Sequence, residues 1–166
     1  MTNTSDNIVL ALLASIDEAF DRTSWHGPNL RGSLRGVTAR QAAWKPGKDR
    51  KGIWEQALHT AYWKYVVRRR ILGEKRGSFP LEGSNWFPVP PGANEKLWRN
   101  HLALLEDEHK QLRAAIAMLS PADLPRKPKK SKVSNAMIIR GVAAHDLYHA
   151  GQINLLKRLH GVKRRA

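Results

Sequence analysis

The sequence predicts an all-α protein, a four-helix bundle with long crossover loops. Three observations carry this expectation. Four long stretches repeat apolar residues at intervals of three and four, the period of one helix face. No stretch shows the strict alternation of a half-buried strand. Clusters of Gly, Pro, Asn and Ser, which end helices, stand between the periodic stretches. Amphipathic helices of this length must bury their stripes against one another, and four of them make a bundle. A chain of 166 residues fits one domain, residues 1–166, and is long enough to bury a core.

Residues 5–21 read as the first helix. Thr4 or Ser5 can cap it, and Asp6 falls in the first turn, where the helix dipole favours an anion. Ile8, Leu12, Ile16 and Phe20 form its stripe, widened by Val9, Leu13 and Ala19. Residues 30–34 form a short helix between Gly27-Pro28 and Gly36, and Thr38 caps a second short turn that ends near Trp44. After a polar loop, residues 53–72 form the second long helix, which stops at Gly73.

Residues 77–92 hold Pro80, Pro88, Pro90 and Pro91, which exclude a regular helix. Phe79, Leu81, Trp86 and Phe87 make this stretch too apolar for a free linker, so it should pack down on the bundle. The third long helix covers residues 94–119, capped by Asn94 and ended by Ser120-Pro121. The last begins at Ser134 or Asn135 and runs to about His160, with Gly161 as its expected C-cap and the basic residues Lys157, Arg158, Lys163, Arg164 and Arg165 at its negative end.

Composition narrows the chemistry. There is no cysteine, so disulfides, thiolate ligands and cysteine nucleophiles are excluded, and a metal would have to be held by His, Asp or Glu. No apolar run is long enough to cross a bilayer, and the first residues lack the basic n-region of a signal peptide, which makes the cytoplasm the expected location. Lys and Arg number 29 against 14 Asp and Glu, a formal net charge of +15. Most of this charge reads as solvated surface. Arg68, Arg69 and Arg70 suit the C-terminal end of their helix, and residues 125–132 read as a basic turn. A contact with nucleic acid is the other reading of both runs.

The chemistry-bearing stretch is His145-Asp146-Leu147-Tyr148-His149-Ala150-Gly151-Gln152. Residues four apart on a helix share a face, so His145 and His149 can chelate one divalent ion, although the same spacing also arises by chance. They interrupt the apolar stripe of Ile138, Val142, Ile153 and Leu156 that should face the core. His59, in the aromatic setting of the second long helix, is the best-placed third ligand; a hydrogen-bonded core histidine is the alternative. His101 and His109 compete from the third long helix and rank below it. Asp146 makes the pentapeptide a near miss for the zincin His-Glu-x-x-His pattern; it points about 100° away from His145 and suits the surface or a supporting role. Gly151 reads as a place of close helix approach, Tyr148 as packing or lining the site, Gln152 as a hydrogen-bond partner for a bound water, and Glu55 as orienting His59 or meeting solvent.

Gly27-Pro28-Asn29-Leu30, Ala42-Ala43-Trp44-Lys45-Pro46, Ile53-Trp54-Glu55-Gln56-Ala57-Leu58-His59 and His145 to Ile153 together resemble, in this order, the DinB/YfiT-like superfamily of four-helix-bundle metalloproteins. The resemblance runs along most of the chain. It implies that the family's three metal histidines carry over to His59, His145 and His149. It also implies a divalent ion, zinc or nickel foremost, and a homodimer. Characterised members include transferases and isomerases that use low-molecular-weight thiols such as bacillithiol or mycothiol. The resemblance therefore implies an S-transferase in which a metal-bound thiolate attacks an electrophilic substrate. The alternatives are a metal-dependent hydrolase and a non-catalytic binding module with a basic, nucleic-acid-contacting surface. No residue is assigned a catalytic role beyond the three ligands.

Overall fold

The computed structural model describes residues 4–129 and 131–163. Among them are six α-helices and no strand: α1 (Thr4–Phe20), α2 (Leu30–Leu34), α3 (Ala39–Ala43), α4 (Ile53–Leu72), α5 (Glu95–Ala117) and α6 (Asn135–Lys163), with a 3-10 turn at Pro121–Asp123. The four long helices are the four periodic stretches of the sequence. α1 packs on α5 and α6, and α4 packs on the same two, so α1 and α4 occupy opposite corners of the bundle.

Side-chain pairs give the helix directions. Trp54 meets Trp98 near the start of both α4 and α5, and Arg68 meets Glu108 further along both, so these helices run the same way. The chain must therefore return along the bundle between them, which accounts for the long connection at residues 73–94. On α6 the order reverses: Gln56 meets His149 and His59 meets His145, so α4 and α6 are antiparallel. α1 and α5 are also antiparallel, through Phe20 on His109 and Asp17 on Arg113.

Local chemistry fixes the ends of α4. Gly52 is the N-cap, and a Cβ there would lie 2.6 Å from the Trp44 carbonyl oxygen, a distance no side chain tolerates. Glu55 accepts from the Gly52 N–H at 2.9 Å and pairs with Lys45 at 3.0 Å and Lys51 at 3.3 Å. Glu55 is buried and neither orients His59 nor meets solvent, as the sequence suggested; its carboxylate is the reciprocal half of a helix cap. At the other end Gly73 adopts φ +73° and its N–H reaches the Arg69 and Arg70 carbonyls. Thr38 and Gln41 form a capping box on α3, and the Asn94 side chain accepts from the Leu97 N–H on α5.

Other expectations shift. Ile8 is exposed, and Val9, Leu12, Leu13, Ile16, Ala19 and Phe20 make the buried face of α1. The side chains of Thr4, Ser5 and Asp6, expected to cap that helix, lie outside the described residues, as do Arg164 and Arg165. Gly161 does not end α6, because the helical hydrogen bonding continues to Lys163. Lys157 reaches back to the carbonyls of Ser33 and Arg35, tying α2 to α6 rather than serving its own helix end. A Cβ on Gly151 would meet only open space, so no helix of this chain approaches it.

The core has two apolar clusters, one around Trp54, Leu58, Trp98, Leu105 and Ile153, the other around Ile16, Leu112, Ile116, Ile139 and Val142. Burying each such side chain contributes about 1.5–3 kcal/mol. In the α4–α6 seam Lys64 and Asp146, each 1% exposed, form an ion pair, and the Lys64 ammonium lies 4.8 Å from the centre of the Phe20 ring. Asp146 is thus a core residue and not a surface one. Burial pushes its carboxyl up to about 6, with the Lys64 charge working against that shift, so at neutral pH it is the carboxylate of the pair. Removing one partner strands a buried charge. Lys64→Met or Asp146→Asn should each lower unfolding free energy by about 3–5 kcal/mol in urea titrations, and the double variant Lys64→Met/Asp146→Leu should recover most of that loss.

Candidate metal centre

His59 from α4 and His145 and His149 from α6 converge. His145 Nε2 lies 3.0 Å from His59 Nε2 and 3.1 Å from His149 Nε2. Helical geometry explains the pair on α6: one turn separates the two imidazoles, and the antiparallel seam sets His59 opposite both. All three are shielded, His59 and His149 being buried and His145 half-buried. Among the described residues they are the one group of at least three His, Cys, Asp or Glu side chains close enough to hold an ion together.

Two supports fix the tautomers. His59 Nδ1–H donates to the Asn85 carbonyl at 2.7 Å, and His149 Nδ1–H donates to Gln56 Oε1 at 2.7 Å. Each bond places the proton on Nδ1 and leaves the Nε2 lone pair aimed at the cluster. Asn85 holds φ +64°, a left-handed conformation that asparagine tolerates better than most residues, and its Oδ1 accepts from Trp63 Nε1 at 3.0 Å. Trp86 stacks on His59 with ring centroids 3.8 Å apart and planes 6° from parallel. The long connection thus packs down as its aromatic content suggested, and it also supplies the carbonyl that orients a site histidine.

Electrostatics keep the imidazoles neutral. Burial lowers the pKa of His59, against the raising effect of its bond to Asn85. Burial, with the His59 and Lys64 charges, holds His145 at about 4; burial, with the His145 and His59 charges, holds His149 at about 3. With both outer histidines protonated at Nδ1, His145 can donate its Nε2 proton to only one of them, so at least one pair of lone pairs faces without a hydrogen. A cation shared by the three nitrogens resolves that repulsion. Imidazole nitrogens about 2.1 Å from a common ion lie roughly 3.0–3.5 Å apart; His145 stands at such a distance from each of its two neighbours, and all three ligand atoms lie within 4.8 Å of one another. The donor set and its geometry fit a divalent ion.

The remaining histidines of the sequence argument lie elsewhere. His101 Nδ1 accepts from Trp54 Nε1 at 2.8 Å, and His109 stacks on Phe20 with its Nε2 3.6 Å from Asp17. Both face core seams of α5, so they do not compete with His59. Tyr148 is 63% exposed with its ring edge-on to His149, at the rim of the cluster. Sequence reasoning missed the roles of Gln56 and Asn85. Gln56 carried a readable signal, a polar residue one turn before His59 in a buried stretch; a carbonyl in the long loop carried none.

The neutral, buried histidines predict an acid-sensitive fold. Their folded pKa values lie below the ordinary value of about 6.5, so these groups bind more protons in the unfolded chain between that value and about 3. The stability they contribute is therefore complete above about pH 6.5 and is lost as pH falls toward 3. The raised carboxyl of Asp146 acts in the opposite sense below about pH 6, so the comparison is with a variant: the urea midpoint of metal-free wild type should fall more steeply across this window than that of His145→Gln/His149→Gln, and equal slopes would contradict the assignment of neutral histidines.

No curated protein and no solved structure matches the chain significantly. The family model of the DinB superfamily matches residues 22–153, a span that runs through α2 to most of α6 and includes all three converging histidines. With its all-helical architecture and the three-histidine cluster in the α4–α6 seam, the chain belongs to the DinB superfamily.

Proposed function

We propose that the chain binds one divalent metal ion through His59, His145 and His149 and acts as a metal-dependent S-transferase on a low-molecular-weight thiol. The observation that carries this reading is the convergence of three Nε2 atoms, two of them oriented by Nδ1–H bonds to Asn85 and Gln56. Bound there, a divalent ion supplies a Lewis acid that favours the thiolate form of a coordinated thiol. The chain contributes no cysteine, so the sulfur nucleophile has to be borrowed. Gln56 and Asn85 hold the imidazoles in the ligating tautomer, while Trp86 and Trp63 shield His59 from water. Zinc and nickel suit a three-imidazole set, and the protein is expected in the cytoplasm.

The nucleic-acid reading draws little support from its two basic runs. Arg68 pairs with Glu74 and Glu108, Arg69 donates to the Glu74 carbonyl, and Arg126 pairs with Asp123. A homodimer has a surface to use. Tyr148, Leu155 and Leu159 line the outer face of α6 and are all exposed. Analytical ultracentrifugation should give a dimer for the wild type and a monomer for Leu155→Glu/Leu159→Glu; a monomeric wild type would sink the dimer.

Titration of untagged protein with zinc should give one ion per chain. His149→Ala should abolish binding, and Gln56→Leu should weaken it about 10- to 100-fold by releasing the ring orientation. Unchanged affinity in His59→Ala and His149→Ala would overturn the ligand set. Product formation from thiol and electrophile pairs, with no turnover when thiol is omitted, supports the transferase; hydrolysis without thiol favours a metal-dependent hydrolase.

A further inference from the structure

A groove with a volume of about 420 Å³ opens beside the three-histidine cluster along the α4–α6 seam. Its α4 wall is formed by His59, Trp63, Val67 and Arg70. At 100° per residue these positions fall within an arc of about 80°, so the wall is one continuous face of the helix. The facing wall on α6 is formed by His145, Val142, Gly141 and Ile138. The histidines therefore stand at one end and Arg70 at the other, about 16 Å apart along the helix axis at 1.5 Å per residue.

The chemistry of the two ends differs. Between them the groove is lined largely by Val, Ile, Met and Trp side chains. Arg70 is the one Lys, Arg, Asp or Glu side chain that lines the groove among the described residues. Its neighbours in the run are engaged, Arg68 with two carboxylates and Arg69 with a carbonyl, whereas Arg70 has no such partner among the described residues. Gly141 lies on the α6 wall of the groove. A glycine inside a helix costs about 1 kcal/mol relative to alanine, and here no packing requires it, since a Cβ would meet nothing within 4 Å. What the missing side chain leaves is width in the groove.

We infer that this groove binds an elongated, apolar molecule with a terminal carboxylate, the carboxylate on Arg70 and the other end presented to the three-histidine cluster. The inference names the electrophile's class and rests on the reading of that cluster as the reactive end. A guanidinium holds a carboxylate through paired N–H donors and repels a cationic head, and the apolar walls favour an apolar chain over a short polar molecule.

The test uses the full chain and measures binding calorimetrically, with and without zinc, for decanoate, decanol and decyltrimethylammonium. Decanoate should bind the metal-free protein about tenfold or more tightly than decanol, and the cation should not bind. Arg70→Gln should erase the preference for decanoate while leaving decanol binding unchanged. Gly141→Leu, whose side chain enters open space and favours the helix, should weaken both. Arg140→Gln, on the exposed side of α6, should change neither. A carboxylate preference that survives Arg70→Gln, or undiminished binding by Gly141→Leu, overturns the inference. Zinc titration of the same proteins separates the two readings: Arg70→Gln and Gly141→Leu should bind zinc as the wild type does. A wild type that binds decanoate in this pattern but no zinc would sink the metal reading alone.

Discussion

The register of α4 against α6 is the constraint on which the rest depends, and the buried Lys64–Asp146 pair is its least forgiving contact. Apolar packing alone tolerates small slips along a helix seam. An ion pair with both partners 1% exposed does not, because displacing it strands charge in a medium that solvates it poorly. Asp146 directly follows His145 on α6, and Lys64 lies five residues beyond His59 on α4. The contact that is costly to break therefore stands beside the contact that has chemistry.

Given that register, the second tier follows from hydrogen bonds. Gln56 turns His149, and the backbone of Asn85 turns His59, so that nitrogen lone pairs point inward from two helices. Three neutral imidazoles packed this way are an unfavourable arrangement without a cation to share, and burial keeps them from solving the problem by taking protons. The long connection has a double part. Its length comes from the parallel run of α4 and α5, and its packing brings Asn85 and Trp86 onto His59. A topological requirement of the bundle thus supplies part of the site.

Much of this was legible in the sequence, and the reasons differ by feature. Helix period and caps located the six helices of the described residues because each is set by residues within a few positions of one another, as with Thr38 and Gln41 or Gly73 after Leu72. The histidine pair was readable for the same reason. His59 was readable as a candidate, but its place opposite the pair depends on helix register, which a resemblance to a family supplied and periodicity did not. The misreadings are tertiary. Glu55 found two lysines, Asp146 found Lys64, and Lys157 found the carbonyls ending α2, partners that no local pattern predicts. Gly161 was read as a stop because glycine often ends helices; here α6 simply continues through it.

The central claim is that one divalent ion sits where the three Nε2 atoms meet. Diffraction from crystals grown with zinc, recorded on both sides of its absorption edge, tests this most directly. The account predicts a single anomalous peak in each chain, about 2.1 Å from Nε2 of His59, His145 and His149. A peak held by other side chains, or no peak at this position with zinc in excess, would contradict it.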